Sequence, residues 1–67
     1  MFSYYPLWNI LRERKINKTT FAKNVHISFS TLAKMNADQN ISMDNLNKIC
    51  NFLDCEIQDI IKHSKDY

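Results

Sequence analysis

Cys50 and Cys55 are the only thiols of the chain, and they stand without a histidine at ligand spacing. A tetrahedral zinc site needs four such donors, so this pair is a poor metal site. His26 is equally isolated, with no partner group spaced from it for general acid–base work or for metal ligation. No nucleophile, base and orienting group recur at a usable spacing, and a chain without glycine has no glycine-rich phosphate loop. Catalysis, a metal and a cofactor are therefore all expected to be absent. Two cysteines are also too few for a disulfide-rich secreted scaffold, so they read as reduced, mostly buried thiols.

Charge is the chemistry that remains. The net charge of +2 hides an uneven distribution. Residues 1–38 carry Arg12, Arg14, Lys15, Lys18, Lys23 and Lys34 against Glu13 and Asp38. Residues 39–67 carry Lys48, Lys62 and Lys65 against Asp44, Asp54, Glu56, Asp59 and Asp66. An ordinary solvated surface mixes the signs, so the basic half is a candidate face for a polyanion. No apolar run approaches the ~20 residues that span a bilayer, and no signal-peptide pattern opens the chain. A soluble cytoplasmic protein without a membrane partner is the expectation.

The elements that position these charges are marked by a repeated start signal. Ile16-Asn17 with Phe21, Ile27-Ser28 with Leu32, and Ile41-Ser42 with Leu46 each place a capping residue between two apolar ones. The Asn or Ser oxygen accepts from an N–H of the first turn, while the flanking apolar pair staples the entry of the chain. The first two starts are eleven residues apart, which leaves about two turns of helix, Lys18 to Val25, before a bend at His26. That spacing makes a helix-turn-helix over about residues 17–36. Around it, a first helix is predicted from Pro6 to about Lys15, with Leu7, Ile10 and Leu11 on one stripe and Trp8 at its edge, and Trp8 and the tyrosines read as packing residues. A helix from Ser28 to about Asn36 turns Leu32 and Met35 inward. After a loop at residues 37–40, a fourth helix carries Met43, Leu46, Ile49, Cys50 and Leu53 on its inner stripe. A last one runs from Glu56 to about Lys62 with Ile57, Ile60 and Ile61, and the polar tail from His63 to Tyr67 is expected to fray. Residues 1–67 thus read as one all-α domain of five helices with no β-sheet core. At this size about 60% of the unfolded chain's surface is buried.

These blocks resemble the Cro/C1-type (XRE-like) DNA-binding proteins, whose helix-turn-helix pairs Leu-Ala in its first helix with Ile/Val-Ser opening the second. Here that pattern is Phe21-Ala22, His26, Ile27-Ser28 and Leu32. The likeness extends to Pro6-Leu7-Trp8, to Ser30 through Met35, to Leu46-Asn47-Lys48-Ile49-Cys50, to Leu53-Asp54-Cys55 and to Asp59-Ile60-Ile61. Together they are similar to the compact YozG-like transcriptional regulators of bacteria and their phages. Two positions depart from the pattern. A common Gln at the start of the second helix is Lys18, which meets phosphate as a point charge but makes no bidentate amide brace. The usual turn Gly is His26, where positive φ is expected.

The resemblance implies a five-helix, lambda-repressor-like fold and a small transcriptional regulator, a repressor, that puts its third helix in the major groove. Phe29, Ser30 and Lys34 would then face base edges, Phe29 against a thymine methyl and Lys34 toward guanine O6 and N7. Lys18, Thr19, Lys23, Asn36 and Asn40 would meet phosphates. A homodimer on a palindromic double-stranded operator is expected, with no small-molecule ligand. Its interface would use the last helix, the aromatic start Phe2 to Tyr5, or both, because the chain shows no separate dimerisation segment. The alternative is a helix-turn-helix protein-interaction module, antitoxin-like or an adaptor, without sequence-specific DNA binding. Phe29 on an exposed helix favours that alternative, and the concentration of six basic side chains in one half speaks against it.

Overall fold

The three start signals are all helix caps in a computed structural model, which describes residues 1–66. Asn17 Oδ1 accepts from the Thr20 N–H at 2.8 Å, Ser28 Oγ from Thr31 N–H at 3.1 Å, and Ser42 Oγ from Asn45 N–H at 3.1 Å. Each relieves one of the first-turn donors that a helix leaves unpaired. The helices that follow are α2 (Lys18–Val25), α3 (Phe29–Asn36) and α4 (Met43–Leu53). Before them lies α1 (Tyr5–Glu13) and after them the short α5 (Ile57–Ile60). The protein is all-α in class, with five helices among the described residues.

One hydrophobic cluster joins all five. Leu7 and Leu11 of α1, Phe21, Ala22 and Val25 of α2, Leu32 and Met35 of α3, Leu46, Ile49 and Leu53 of α4, and Ile60 of α5 are buried in it. Phe21 stands edge-on to Phe52, with ring centroids 6.3 Å apart, a favoured aromatic geometry. Ala22 is fully buried, and its lack of bulk lets α2 and α3 approach closely.

Several boundaries differ from the sequence expectation. The first helix stops at Glu13 because Lys15 takes a left-handed conformation at φ 58°. Ile16 N–H then closes back onto Leu11 C=O at 2.9 Å. Met43 is not on the inner stripe of the fourth helix: it is 78% exposed, because the first turn of α4 overhangs the core, which begins at Leu46. Cys50 is only half-buried there.

The last helix ends at Ile60, two residues short, because Ile61 turns extended at φ −134° and ψ 143°. β-branched side chains favour that conformation. Lys62–His63 (β2) then pair antiparallel with Phe2–Ser3 (β1), Phe2 opposite His63. Ser64 N–H reaches Met1 C=O at 2.8 Å, and Asp66 Oδ2 lies 2.9 Å from the N-terminal amine. The expected fray of the tail is thus wrong over His63 to Asp66; Tyr67 lies outside the described residues. The two-residue ladder ties the termini without making a sheet core.

Tyr4 packs as the sequence reading of the tyrosines expects, which removes it from the aromatic start offered to an interface. It is 2% exposed, its hydroxyl donating to Gln39 C=O at 2.7 Å and its N–H donating to Asp38 Oδ1 at 3.2 Å. Burial is the main cause that raises its phenol above the ordinary value, with the Asp38 carboxylate adding to it against the lowering hydrogen bond at Ile41. Phe2 and Tyr5 are exposed, Tyr5 against the packing reading of the tyrosines.

Candidate nucleic-acid interface

The turn between α2 and α3 sets where the candidate residues can point. His26 is left-handed at φ 65°, and Ile27 N–H donates to Ala22 C=O at 3.1 Å, so the chain reverses within two residues. Ile27 and Leu32 sink into the core on the far side of the turn. With Leu32 and Met35 committed inward, the helical period forces Phe29, Ser30, Ala33 and Lys34 outward, and all four are exposed. Eight residues of helix span about 12 Å, comparable with the width of the B-DNA major groove.

Phe29 is 59% exposed. Ser30 Oγ lies 3.0 Å from Ser28 Oγ, which donates to Thr31 Oγ1 at 3.0 Å. Either serine can be the donor in the Ser28–Ser30 contact, so Ser30 can offer a base edge a donor or an acceptor. Lys34 sits in the last turn of α3, where a cation also complements the helix dipole. Lys23 holds the same position in α2, so its placement has a structural reason independent of any partner.

Lys18 and Asn36 are brought together: the Lys18 ammonium donates to Asn36 Oδ1 at 2.7 Å and rests over the Trp8 ring, 4.1 Å from its centroid. Trp8 packs against the core, as its place at the edge of the α1 stripe predicts, but it also offers a face to a cation. Spacing within α1 could not reveal that contact, since it joins residues in three helices. Thr19 is exposed beside Lys18. Asn40 stands apart from this group and borders an apolar hollow lined by Phe2, Tyr4, Ile41, Met43 and Ile57.

Arg12, Arg14, Lys15, Lys18, Lys23 and Lys34 are all exposed. Among the described residues the ion pair is that of the N-terminus with Asp66, so none of these six cations is neutralised by a carboxylate. Asp38, one of the two acids in the basic half, is turned to the Tyr4 amide instead. Burial, then the charges of Glu56 and Asp59, pushes Cys50 above its ordinary pKa; Cys55 is raised by burial first, then by Cys50 and Asp59, against a lowering from Arg14. Both are free thiols.

No helix of the described residues is long and apolar enough to cross a membrane, and no cluster of three or more metal-ligating side chains occurs among them. Against known proteins, the family model described as the Cro/C1-type HTH DNA-binding domain matches residues 6–66. The Form II crystal structure of transcriptional regulator VanUg is similar, with a TM-score of 0.88 at 38% sequence identity, covering 91% of this chain and 81% of that one. No curated protein matches. By extent and fold together, the chain belongs to the Cro/C1-type family of helix-turn-helix DNA-binding domains.

Proposed function

We propose that the protein is a small transcriptional regulator that binds double-stranded DNA sequence-specifically and represses by occupying its site, with α3 in the major groove. The observation that carries this reading is the outward face of α3, exposed and held rigid from behind by Leu32 and Met35. Lys34 donates to guanine O6 and N7, and Ser30 donates to or accepts from a base edge. Phe29 packs on a thymine methyl. Lys18, Thr19, Lys23, Asn36 and Asn40 meet backbone phosphates, which fix register without reading sequence. In this reading the protein is encoded by a bacterium or a phage, works in the bacterial cytoplasm by binding rather than catalysis, and belongs with the compact YozG-like regulators.

One such module covers roughly 600–1,000 Å² on DNA, so useful specificity calls for two. The proposal is a homodimer on a palindromic operator, its recognition helices about 34 Å apart. Burial of Tyr4 and Ile60 narrows the apolar surface for that contact to Phe2, Tyr5, Ile57 and half-buried Ile61, and exposed Met43 adds to it.

Selection of bound sequences from random duplex DNA at a stated salt concentration tests binding and specificity together. Recovery of a common, two-fold symmetric motif is the expected result. A second reading, a protein-interaction module of antitoxin or adaptor type, is favoured by the exposure of Phe29 alone. Enrichment of no motif, with affinity that is weak on every duplex, would support it instead.

A further inference from the structure

We propose that Trp8 is a positioning residue for DNA-backbone binding, holding the Lys18 ammonium and, through it, the Asn36 amide as a two-pronged clamp for one phosphodiester. The inference deepens the DNA-binding reading and rests on it. Lys18 opens α2, Asn36 closes α3 and Trp8 lies in α1, yet the three side chains meet around a single nitrogen, 4.1 Å from the indole centroid and 2.7 Å from Asn36 Oδ1.

Both partners of the ammonium are neutral. A carboxylate in either place would fix the lysine but cancel its charge, whereas an aromatic face and an amide oxygen fix it and leave a full positive charge. An exposed lysine otherwise wanders through its rotamers, and holding it on a phosphate costs side-chain entropy at the moment of binding. Trp8 and Asn36 meet that cost in the free protein. The same contact orients Asn36: with Oδ1 taken by Lys18, the two protons on its Nδ2 remain as donors. An ammonium and an amide N–H₂ side by side suit an anionic, acceptor-only oxygen pair, which is what a phosphodiester presents. Arg12 and Asn17 line the hollow between Trp8 and Lys18, adding a second cation at its rim.

The Lys18–Asn36 hydrogen bond also braces the start of α2 against the end of α3.

The test is a double-mutant cycle on a fluorescein-labelled duplex of mixed sequence, with Trp8→Leu, Trp8→Phe, Lys18→Met and the pair Trp8→Leu/Lys18→Met. Trp8→Leu keeps apolar bulk but removes the π-face, and is expected to weaken binding about two- to five-fold, equally on selected and mixed duplexes. Trp8→Phe should retain part of the effect. In the Lys18→Met background, Trp8→Leu should change affinity no further. An equal loss in both backgrounds would assign Trp8 a purely structural role and overturn the proposal, as would no loss in either. Trp8 is the sole tryptophan, so its emission gives a readout without DNA: Lys18→Met should shift it in the free protein, and an unchanged spectrum would refute the contact. A parent chain that binds no duplex would overturn the DNA-binding reading and the clamp's role with it, whereas the emission shift alone would still stand for the contact.

Discussion

Lys34 and Lys18 carry like charge to different ends, and the difference is measurable. Lys34→Ala is expected to cost about 1–3 kcal/mol on the selected site and to relax preference at one base position. Lys18→Ala should weaken binding to all sequences alike and lower the slope of log K against log salt by about 0.9, one phosphate contact. Titrating the parent and both variants over a salt series separates the two. Retention of parental affinity and slope by both would refute the docking assigned to α3. Cys50 and Cys55 allow a prediction of opposite kind. Their raised pKa values mean that ionisation is harder in the folded than in the unfolded chain. Their contribution to stability is complete below the unfolded thiol pKa and falls as pH rises through it toward the folded value. Urea midpoints should be level through neutral pH with respect to the thiols and decline from about pH 8.5 upward. A Cys50→Ser/Cys55→Ser variant should show a shallower decline. Both thiols are visible in the sequence as unpaired, but their half-buried setting against Glu56 and Asp59 is a product of the α4–α5 corner and is not.

At the scale of elements, four helices end alike without a glycine. Lys15, His26, Asp38 and Asp54 all take positive φ, and the next residue donates back to a carbonyl one turn earlier, at Leu11, Ala22, Lys34 and Cys50. This closure is usually built on glycine, since a Cβ in the left-handed region costs roughly 1–2 kcal/mol. His26→Gly and Lys15→Gly are therefore each expected to stabilise the domain by roughly 0.5–1 kcal/mol, read as a raised denaturation midpoint at unchanged slope. Ser28→Ala should destabilise by about 1 kcal/mol through loss of the cap. The helix starts were legible in the sequence because a cap flanked by two apolar residues is a local signal. Of the ends, His26 could be anticipated from the second start close behind it. Lys15 could not, because nothing in Arg14-Lys15-Ile16 marks a left-handed residue. The pairing of Lys62–His63 with Phe2–Ser3 was hidden for another reason: its partners lie at opposite ends of the chain, and two-residue strands carry no periodicity.

For the whole molecule, one core binds every helix, so damage to it should be global. A domain of this length is stable by roughly 3–10 kcal/mol, and Phe21→Ala, emptying a fully buried ring site, is expected to cost about 3–5 kcal/mol. Circular dichroism should show loss of helix throughout rather than local melting. Lys18, Lys23 and Lys34 lie on α2 and α3, Arg14 lies near enough to Cys55 to lower its pKa, and exposed Phe2, Met43 and Ile57 rim an apolar hollow. The apolar hollow was only partly legible in the sequence, since Tyr4 and Ile60 fill the core and Met43, assigned to the core, is outside it. Sedimentation equilibrium should find a dimer on the selected DNA site; a monomer there would refute the proposed assembly. The most direct test of recognition by α3 is amide chemical-shift mapping of isotope-labelled protein titrated with its selected duplex. The largest changes are expected at Lys18, Thr19 and Phe29 through Lys34. Changes confined to Phe2, Met43 and Ile57, with α3 unmoved, would contradict it.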